Sequence, residues 1–290
     1  MWEILHGAVS ALGGVNGWYV AAALGLYLIG VLICATRWRT ILASLGTRVR
    51  IVDTALAQLA GIFAGNVTPA GRVGGEACRI AVISLRTRVA LPVAAVASVY
   101  DRLSEVPPVA VLVLAAVPTL AAAGARLRVG WVSVAVATAT VTVAVFGSVR
   151  FVRRRSWWRS WRERIASGGV GTGTMATAVV FSSVVWLQDV LRLMIVAAAF
   201  GVSLTVSQAA TLTVLTIVGG MLPIMGGLGA IEGGLVAGLM LFGVGLETAA
   251  AITVVERSIS YGLATLAGGS AVALIGGRRL WQATRRGGNS

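Results

Sequence analysis

Apolar residues in this chain run in long uncharged blocks, not in the alternating or one-faced patterns of water-soluble elements. The stretch Trp18–Ala35 contains no charged residue, and about 20 such residues suffice to cross a hydrocarbon core of about 30 Å. Blocks of this kind predict spans over about 17–36, from about 89 through a Pro107-Pro108 kink, over 130–149, over 172–200 and over 247–276. Two further blocks, 51–86 and 204–244, are apolar but broken midway by Pro and Gly, and they predict helical hairpins. The fold expected is an all-α, polytopic helical membrane protein with two inverted repeats, each containing a broken re-entrant helical hairpin. Residues 1–290 then form a single integral membrane domain. Repeat one covers about 17–122, a connecting helix 130–149, a basic loop 150–166, repeat two about 172–277 and a basic tail 278–290. The first block is too long for a cleaved signal and lacks a basic leader, so it reads as a true span.

Composition agrees on the solvent. The chain is 57% hydrophobic and 12% charged, with a mean hydropathy of +0.89, which excludes an ordinary soluble domain. The 37 glycines fit the close helix approach that membrane interiors use. Cys34 and Cys78 show no CxxC spacing and have only His6 as an imidazole partner, so a structural zinc site lacks ligands.

Every basic residue is Arg, and the formal net charge is +14. Nineteen Arg fall in expected loops and tails against four acids there (Glu3, Asp53, Glu163, Glu247). Five Arg face six acids in the expected interior. Cytoplasmic loops collect Arg, and the basic segments Arg37–Arg50, Arg150–Arg164 and Arg278–Arg286 therefore predict an outside N-terminus and a cytoplasmic C-terminus in the cell membrane. Arg126 and Arg128 then lie outside, against the rule. Trp157, Trp158 and Trp161 within the Arg150–Arg164 segment point to an interfacial stretch on anionic lipid headgroups, not to nucleic-acid binding.

Two motifs carry the chemistry. The first runs Asn66-Val-Thr-Pro69-Ala-Gly71-Arg72-Val-Gly74-Gly75-Glu76, with Asp101-Arg102 following. The second runs Pro223-Ile-Met-Gly226-Gly227-Leu-Gly229-Ala-Ile-Glu232, with Glu256-Arg257 following. Broken helices at matching positions of two halves point to a transport site. The interior charges are Arg72, Glu76, Arg79, Asp101, Arg102, Glu105, Asp189, Arg192, Glu232, Glu256 and Arg257. Unpaired, each would cost about 2.5–3.5 kcal/mol at the bilayer centre, so they must pair or line a wet cavity. Helical spacing allows Arg72–Glu76, Glu76–Arg79, Arg102–Glu105 and Asp189–Arg192. One reading is purely structural ion pairing. The other has Arg102, Arg257 and Arg72 present guanidinium forks to a phosphate, with help from backbone N–H groups at the half-helix N-termini near Glu76 and Glu232.

Other chemistry is weak. Gly226-Gly-Leu-Gly229 lacks the Gly-Lys-Ser/Thr of a phosphate loop, and Gly234-x-x-x-Gly238 reads as helix packing. No catalytic triad, metal set or cofactor site is expected, and the chain is not expected to be an enzyme.

These residues, together with Arg37-Trp-Arg39 and Leu45-Gly46, resemble the lysylphosphatidylglycerol synthase transmembrane region, a flippase-like membrane family also called the uncharacterised 0104 family. The resemblance covers about 15–277. It implies a lipid-translocating domain acting on a phospholipid or polyprenyl-linked lipid; no soluble aminoacyl-transferring domain is present to go with it. The second motif lacks an Arg matching Arg72. A small-solute or ion transporter with the same cavity is the alternative, and a membrane-embedded enzyme on a lipid-linked substrate or a partner-binding scaffold ranks below it. Whether two copies form a homodimer is left open.

Overall fold

The structure is a computed structural model and describes residues 16–68, 71–127, 169–221 and 225–287. Its helices are α1 (Gly17–Ser44), α2 (Ile51–Val67), α3 (Gly71–Thr87), α4 (Leu91–Leu127), α5 (Thr172–Ala198), α6 (Val206–Gly219), α7 (Ala230–Leu241), α8 (Leu246–Arg257) and α9 (Ala264–Gly287). A 3₁₀ turn, Met225–Gly227, precedes α7, and the π-helical stretch Ser258–Leu263 joins α8 to α9 without a break. Among the described residues there is no strand. Four helices are long and apolar enough to cross a membrane: Gly17–Ser44, Leu91–Ala122, Thr172–Ala198 and the continuous Leu246–Gly276. The protein is an all-helical, multi-pass membrane protein.

Helix ends follow local chemistry. Asn16 caps α1 by accepting from the Trp18 N–H. Thr205 and Gln208 form a reciprocal capping box at α6, which satisfies two N–H groups the helix itself cannot. Pro107, Pro108 and Pro118 all lie inside α4, so the Pro pair expected to kink the chain sits within one long helix.

The expected hairpins are helix pairs. In the first, α2 and α3 touch backbone to backbone. A Cβ on Gly75 would lie 2.7 Å from the Gly61 carbonyl oxygen, and one on Gly65 would lie 3.3 Å from that of Gly71. Gly61 and Gly65 thus face Gly71 and Gly75 at four-residue spacing on both helices, the small-residue crossing that lets membrane helices close up. In the second pair, Gly238 receives Leu212 and Leu215 of α6, as the Gly234-x-x-x-Gly238 spacing predicted.

The two halves interlock reciprocally. The first hairpin's α2 is covered by α9, where Gly268 meets Leu59 and Phe63. The second hairpin's α6 is covered by α4, where Ser207 donates to the Ala115 carbonyl at 2.7 Å. Helices α1 and α5 pack antiparallel: Gln188 donates to the Leu26 carbonyl near one end, and Arg37 bonds Ser182 further along. Two apolar clusters result, one around Trp38, Ile41, Leu42 and Ile83, the other around Leu193, Leu212, Leu235 and Ile252. The 3₁₀ turn of the second break packs against α2 and α3, so the two broken hairpins meet.

Several boundaries differ from expectation. α1 continues past 36 to Ser44, which brings Arg37 into the core instead of a loop. Asp53, assigned to a loop, is buried between Arg86 at 2.7 Å and Arg50 at 3.1 Å. The expected tail from 278 continues α9 as far as Gly287. The connecting helix 130–149, the basic segment Arg150–Arg164, Pro69, Pro223 and the Arg72 side chain lie outside the described residues.

Candidate functional site

The site begins with Asp101 on α4, fully buried. Its Oδ1 accepts from Arg37 Nε at 2.7 Å, and its Oδ2 accepts from Arg79 Nη1 at 2.9 Å. Arg37 is 1% exposed and also donates to Ser182 Oγ at 2.7 Å and Glu105 at 2.8 Å. One guanidinium thus ties α1 to α4 and α5. The Arg79 guanidinium lies 3.9 Å from the centre of the buried Trp38 ring, a cation–π contact strengthened by exclusion of water. Arg102 completes the set, at 2.7 Å from Glu76 and 2.8 Å from Glu105. Glu76 also accepts from Ser98 at 2.9 Å.

A second set repeats this scheme. Arg192 on α5 holds Glu256 on α8 at 2.7 Å, and Arg257 holds Glu232 on α7 at 2.6 Å. Arg37 and Asp101 are 64 residues apart, as are Arg192 and Glu256. In each half, the Arg of the first long helix takes the acid of the later acid–Arg doublet. The doublet's own Arg takes the acid of the hairpin: Glu76 in one half, Glu232 in the other. The sets differ in detail. Arg192 is shared by Glu256 and, at 3.3 Å, Asp189, as Arg37 is by Asp101 and Glu105, but among the described residues no second guanidinium bonds Glu256 as Arg79 bonds Asp101.

Both sets line one cavity of about 450 Å³. Arg37, Glu76, Arg79, Arg102 and Glu105 face it from the first half, and Asp189, Arg192, Glu256 and Arg257 from the second. Gly61, Gly65, Gly71, Gly75, Gly220 and Gly227 bring bare backbone to its wall. Of the Arg side chains described there, Arg102 is the most open, at 43% exposure. Nε and Nη2 of Arg79, Nε of Arg192 and Oε2 of Glu256 are buried with no hydrogen-bond partner among the described residues. Buried polar atoms are rarely left so, and here they sit on residues that line a polar void. The π-helical turn after Glu256-Arg257 belongs to the same neighbourhood: Tyr261 donates to the Asn66 carbonyl at 3.3 Å and Asn66 to Thr265 at 2.8 Å. Such turns concentrate at functional sites.

The sequence pattern that defines the lysylphosphatidylglycerol synthase TM region matches residues 6–268. The chain belongs to that family. A UPF0104 membrane protein of Pyrococcus horikoshii is 24% identical over 287 residues, covering 87% of this chain and 85% of the relative. A UPF0104 membrane protein of Methanothermobacter thermautotrophicus is 32% identical over 96 residues, 33% of this chain and 28% of the relative. No solved structure matches the chain.

For this member of the synthase TM-region family, the motif residues largely converge. Glu76, Arg79, Asp101, Arg102 and Glu105 form one connected set; Asp189, Arg192 and Glu256 form another, with Glu232 and Arg257 beside it. The local pairs Glu76–Arg79, Arg102–Glu105 and Asp189–Arg192 are present. At the breaks, Gly71, Gly227 and Gly229 adopt positive φ of 48°, 69° and 83°, a backbone that glycine tolerates best. Gly74 lies inside α3 and Gly226 inside the 3₁₀ turn.

At the α7 N-terminus one backbone donor is already engaged: the Gly229 N–H donates to Glu232 Oε2 at 2.6 Å. Glu76 lies five positions after the start of α3 and accepts from Ser98 of α4. Sequence reasoning also missed Arg37, Trp38, Tyr27 and Ser182. The signal available for Arg37 was its spacing: Arg192, Glu256 and Arg257 each lie 155 residues after Arg37, Asp101 and Arg102.

Proposed function

We propose that the protein is a lipid flippase-like transporter, moving the headgroup of a phospholipid or polyprenyl-linked lipid through the cavity while the tails stay in the bilayer. The observation that carries this reading is the placing of Arg102. It is the most exposed of the described guanidinium groups facing the cavity, and it is held only by carboxylates, Glu76, Glu105 and the more distant Asp101. A phosphate offers the same bidentate acceptor geometry as those carboxylates, so an entering headgroup can exchange with them. The deeper Arg37 and Arg79 keep the wall in place through Asp101. A volume of about 450 Å³ lies within the usual range for small-ligand sites, about 300–1,000 Å³.

Alternating access follows from an inverted repeat in which the hairpins are re-entrant and rock about the shared site. Three features support it: the twice-used pairing scheme, the reciprocal covering of α2 by α9 and α6 by α4, and the antiparallel packing of α1 on α5. We place the C-terminal end of α9 on the cytoplasmic side of the cell membrane, with Arg150–Arg164 on anionic headgroups there. The carboxylates of the site are each engaged by guanidinium groups, and we read the site as a carrier.

The deciding experiment is headgroup translocation of a labelled phospholipid in proteoliposomes. Wild type is expected to accelerate it, and the double variant Arg102→Ala/Arg257→Ala to lose the acceleration. Equal rates for the two proteins overturn the assignment.

A further inference from the structure

The two copies of the pairing scheme are unequal where it matters most, at the acid of the doublet. In the first half, Asp101 has both oxygens occupied, Oδ1 by Arg37 and Oδ2 by Arg79, with Arg102 a further 3.5 Å neighbour. Its set of Arg37, Arg79 and Arg102 against Glu76, Asp101 and Glu105 is balanced. In the second half, Glu256 has one oxygen on Arg192, and its Oε2 is buried with no hydrogen-bond partner among the described residues. Arg192 is shared with Asp189, and Arg257 is directed to Glu232. Two guanidinium groups thus serve three carboxylates.

A smaller void of about 50 Å³ opens beside Glu256, lined among others by Asp189, Arg192, Thr213, Thr216 and Leu235. Its volume exceeds the minimum that holds a water. Asp189, 32% exposed, and Glu256 both line this void and the main cavity, so the Glu256 carboxyl stands at the wall between the two. The charged and titratable groups facing Glu256 are Asp189 and Arg192 from α5, Tyr27 from α1 and the adjacent Arg257. Among the described residues, α6 and α7 present Thr213, Thr216 and Leu235 to this void, none of them charged.

We propose that Glu256, at the wall between the two voids and beside Asp189, is a proton-binding site that couples transport to the proton gradient. A proton from water in the voids bonds to Glu256 Oε2. This neutralises the excess negative charge while Oε1 stays on Arg192. When the cavity opens to the other face, the O–H bond breaks and the proton leaves to water. A buried carboxylate with a free oxygen and half a guanidinium gains from neutralisation in a way that Asp101, bonded on both oxygens, does not. A sodium ion fits less well, because Arg192 already places a fixed cation on both carboxylates, at Glu256 Oε1 and Asp189 Oδ1.

This inference rests on the transporter reading, and the test separates the two. The first arm is infrared difference spectroscopy of the reconstituted protein on acidification. Wild type is expected to gain a carboxylic-acid carbonyl band that E256Q lacks; a band that persists in E256Q overturns the site. Asp189→Asn, which removes the neighbouring negative charge, is expected to move the band's appearance to lower pH, and an unmoved band counts against the pairing. The second arm is net headgroup movement under imposed gradients. In wild type it is expected to follow a proton gradient and reverse with it, whereas E256Q equilibrates without bias. Movement indifferent to the proton gradient, or driven by a sodium gradient at equal pH, overturns the coupling. No movement by wild type at all refutes the transporter reading and with it the coupling, leaving the infrared arm to decide protonation alone.

Discussion

Arg37 on α1 and Arg192 on α5 hold equivalent places in one pairing scheme used twice, each bonded at 2.7 Å to the acid 64 residues further along. Neither acid is adjacent in sequence, so each pair pins its half's first long helix to its closing helix. The two pairs differ in support. Asp101 has further guanidinium neighbours in Arg79 and Arg102, whereas among the described residues the carboxyl oxygens of Glu256 are hydrogen-bonded by Arg192 alone.

That difference orders two truncations. Removing one partner of a buried pair costs about 3–5 kcal/mol. Arg37→Ala leaves Asp101 with Arg79, so it should fall at or below the lower end of that range. Arg192→Ala strands both Glu256 and Asp189 and should reach the upper end. Thermal unfolding in detergent checks the order; Arg37→Ala as the more damaging change would show that the pairs do not carry the load assigned to them.

The α2–α3 crossing makes a steric prediction. A Cβ at position 75 would meet the Gly61 carbonyl oxygen at 2.7 Å, closer than backbone atoms yield, whereas a Cβ at Gly233 meets nothing within 4 Å. Gly75→Ala should prise the hairpin apart and lower the unfolding temperature and yield. Gly233→Ala should be neutral or stabilise by up to about 1 kcal/mol, the helix-propensity difference. Equal behaviour of the two variants would mean that the crossing is loose.

Sequence made the long spans and the two breaks legible, because unbroken apolar length and Pro-Gly punctuation are local signals. It failed wherever a distant element decided the outcome. Arg37 stands at the start of the basic segment Arg37–Arg50, which reads as a cytoplasmic loop; Asp101, Glu105 and Ser182 draw it inside. Asp53 reads as a loop acid until Arg86, 33 residues on, is folded against it. Most of the charged site residues were legible as costly interior charges. Their division into a fully bonded acid, Asp101, and a half-bonded one, Glu256, depends on which side chains the helix packing brings together.

The orientation proposed here is tested without reference to activity. Single cysteines at positions 166 and 285, in a background lacking Cys34 and Cys78, should both be shielded from an impermeant thiol reagent in intact cells and labelled after permeabilisation. Labelling of either from outside would reverse the assignment of the basic segments and remove the positive-inside argument for an inverted repeat.

Arg79 supplies the sharpest test of the wall behind the cavity, because its contacts with Asp101 and Trp38 ask for different properties. Asp101 needs only a cation, whereas Trp38 needs a flat one, stacked 3.9 Å from the ring centre. Lys keeps the charge but loses the plane and the fork. Arg79→Lys should therefore cost about 1–3 kcal/mol, less than Arg79→Ala, since a desolvated cation–π contact is worth roughly 2 kcal/mol or more. A double-mutant cycle with Trp38→Leu isolates the stacking contribution, and the pair should couple by about 1–2 kcal/mol. Additive losses in that cycle would leave Trp38 as mere filling. The rigidity of Arg79, and with it the fixed placing of Asp101 beside Arg102, would then need another source.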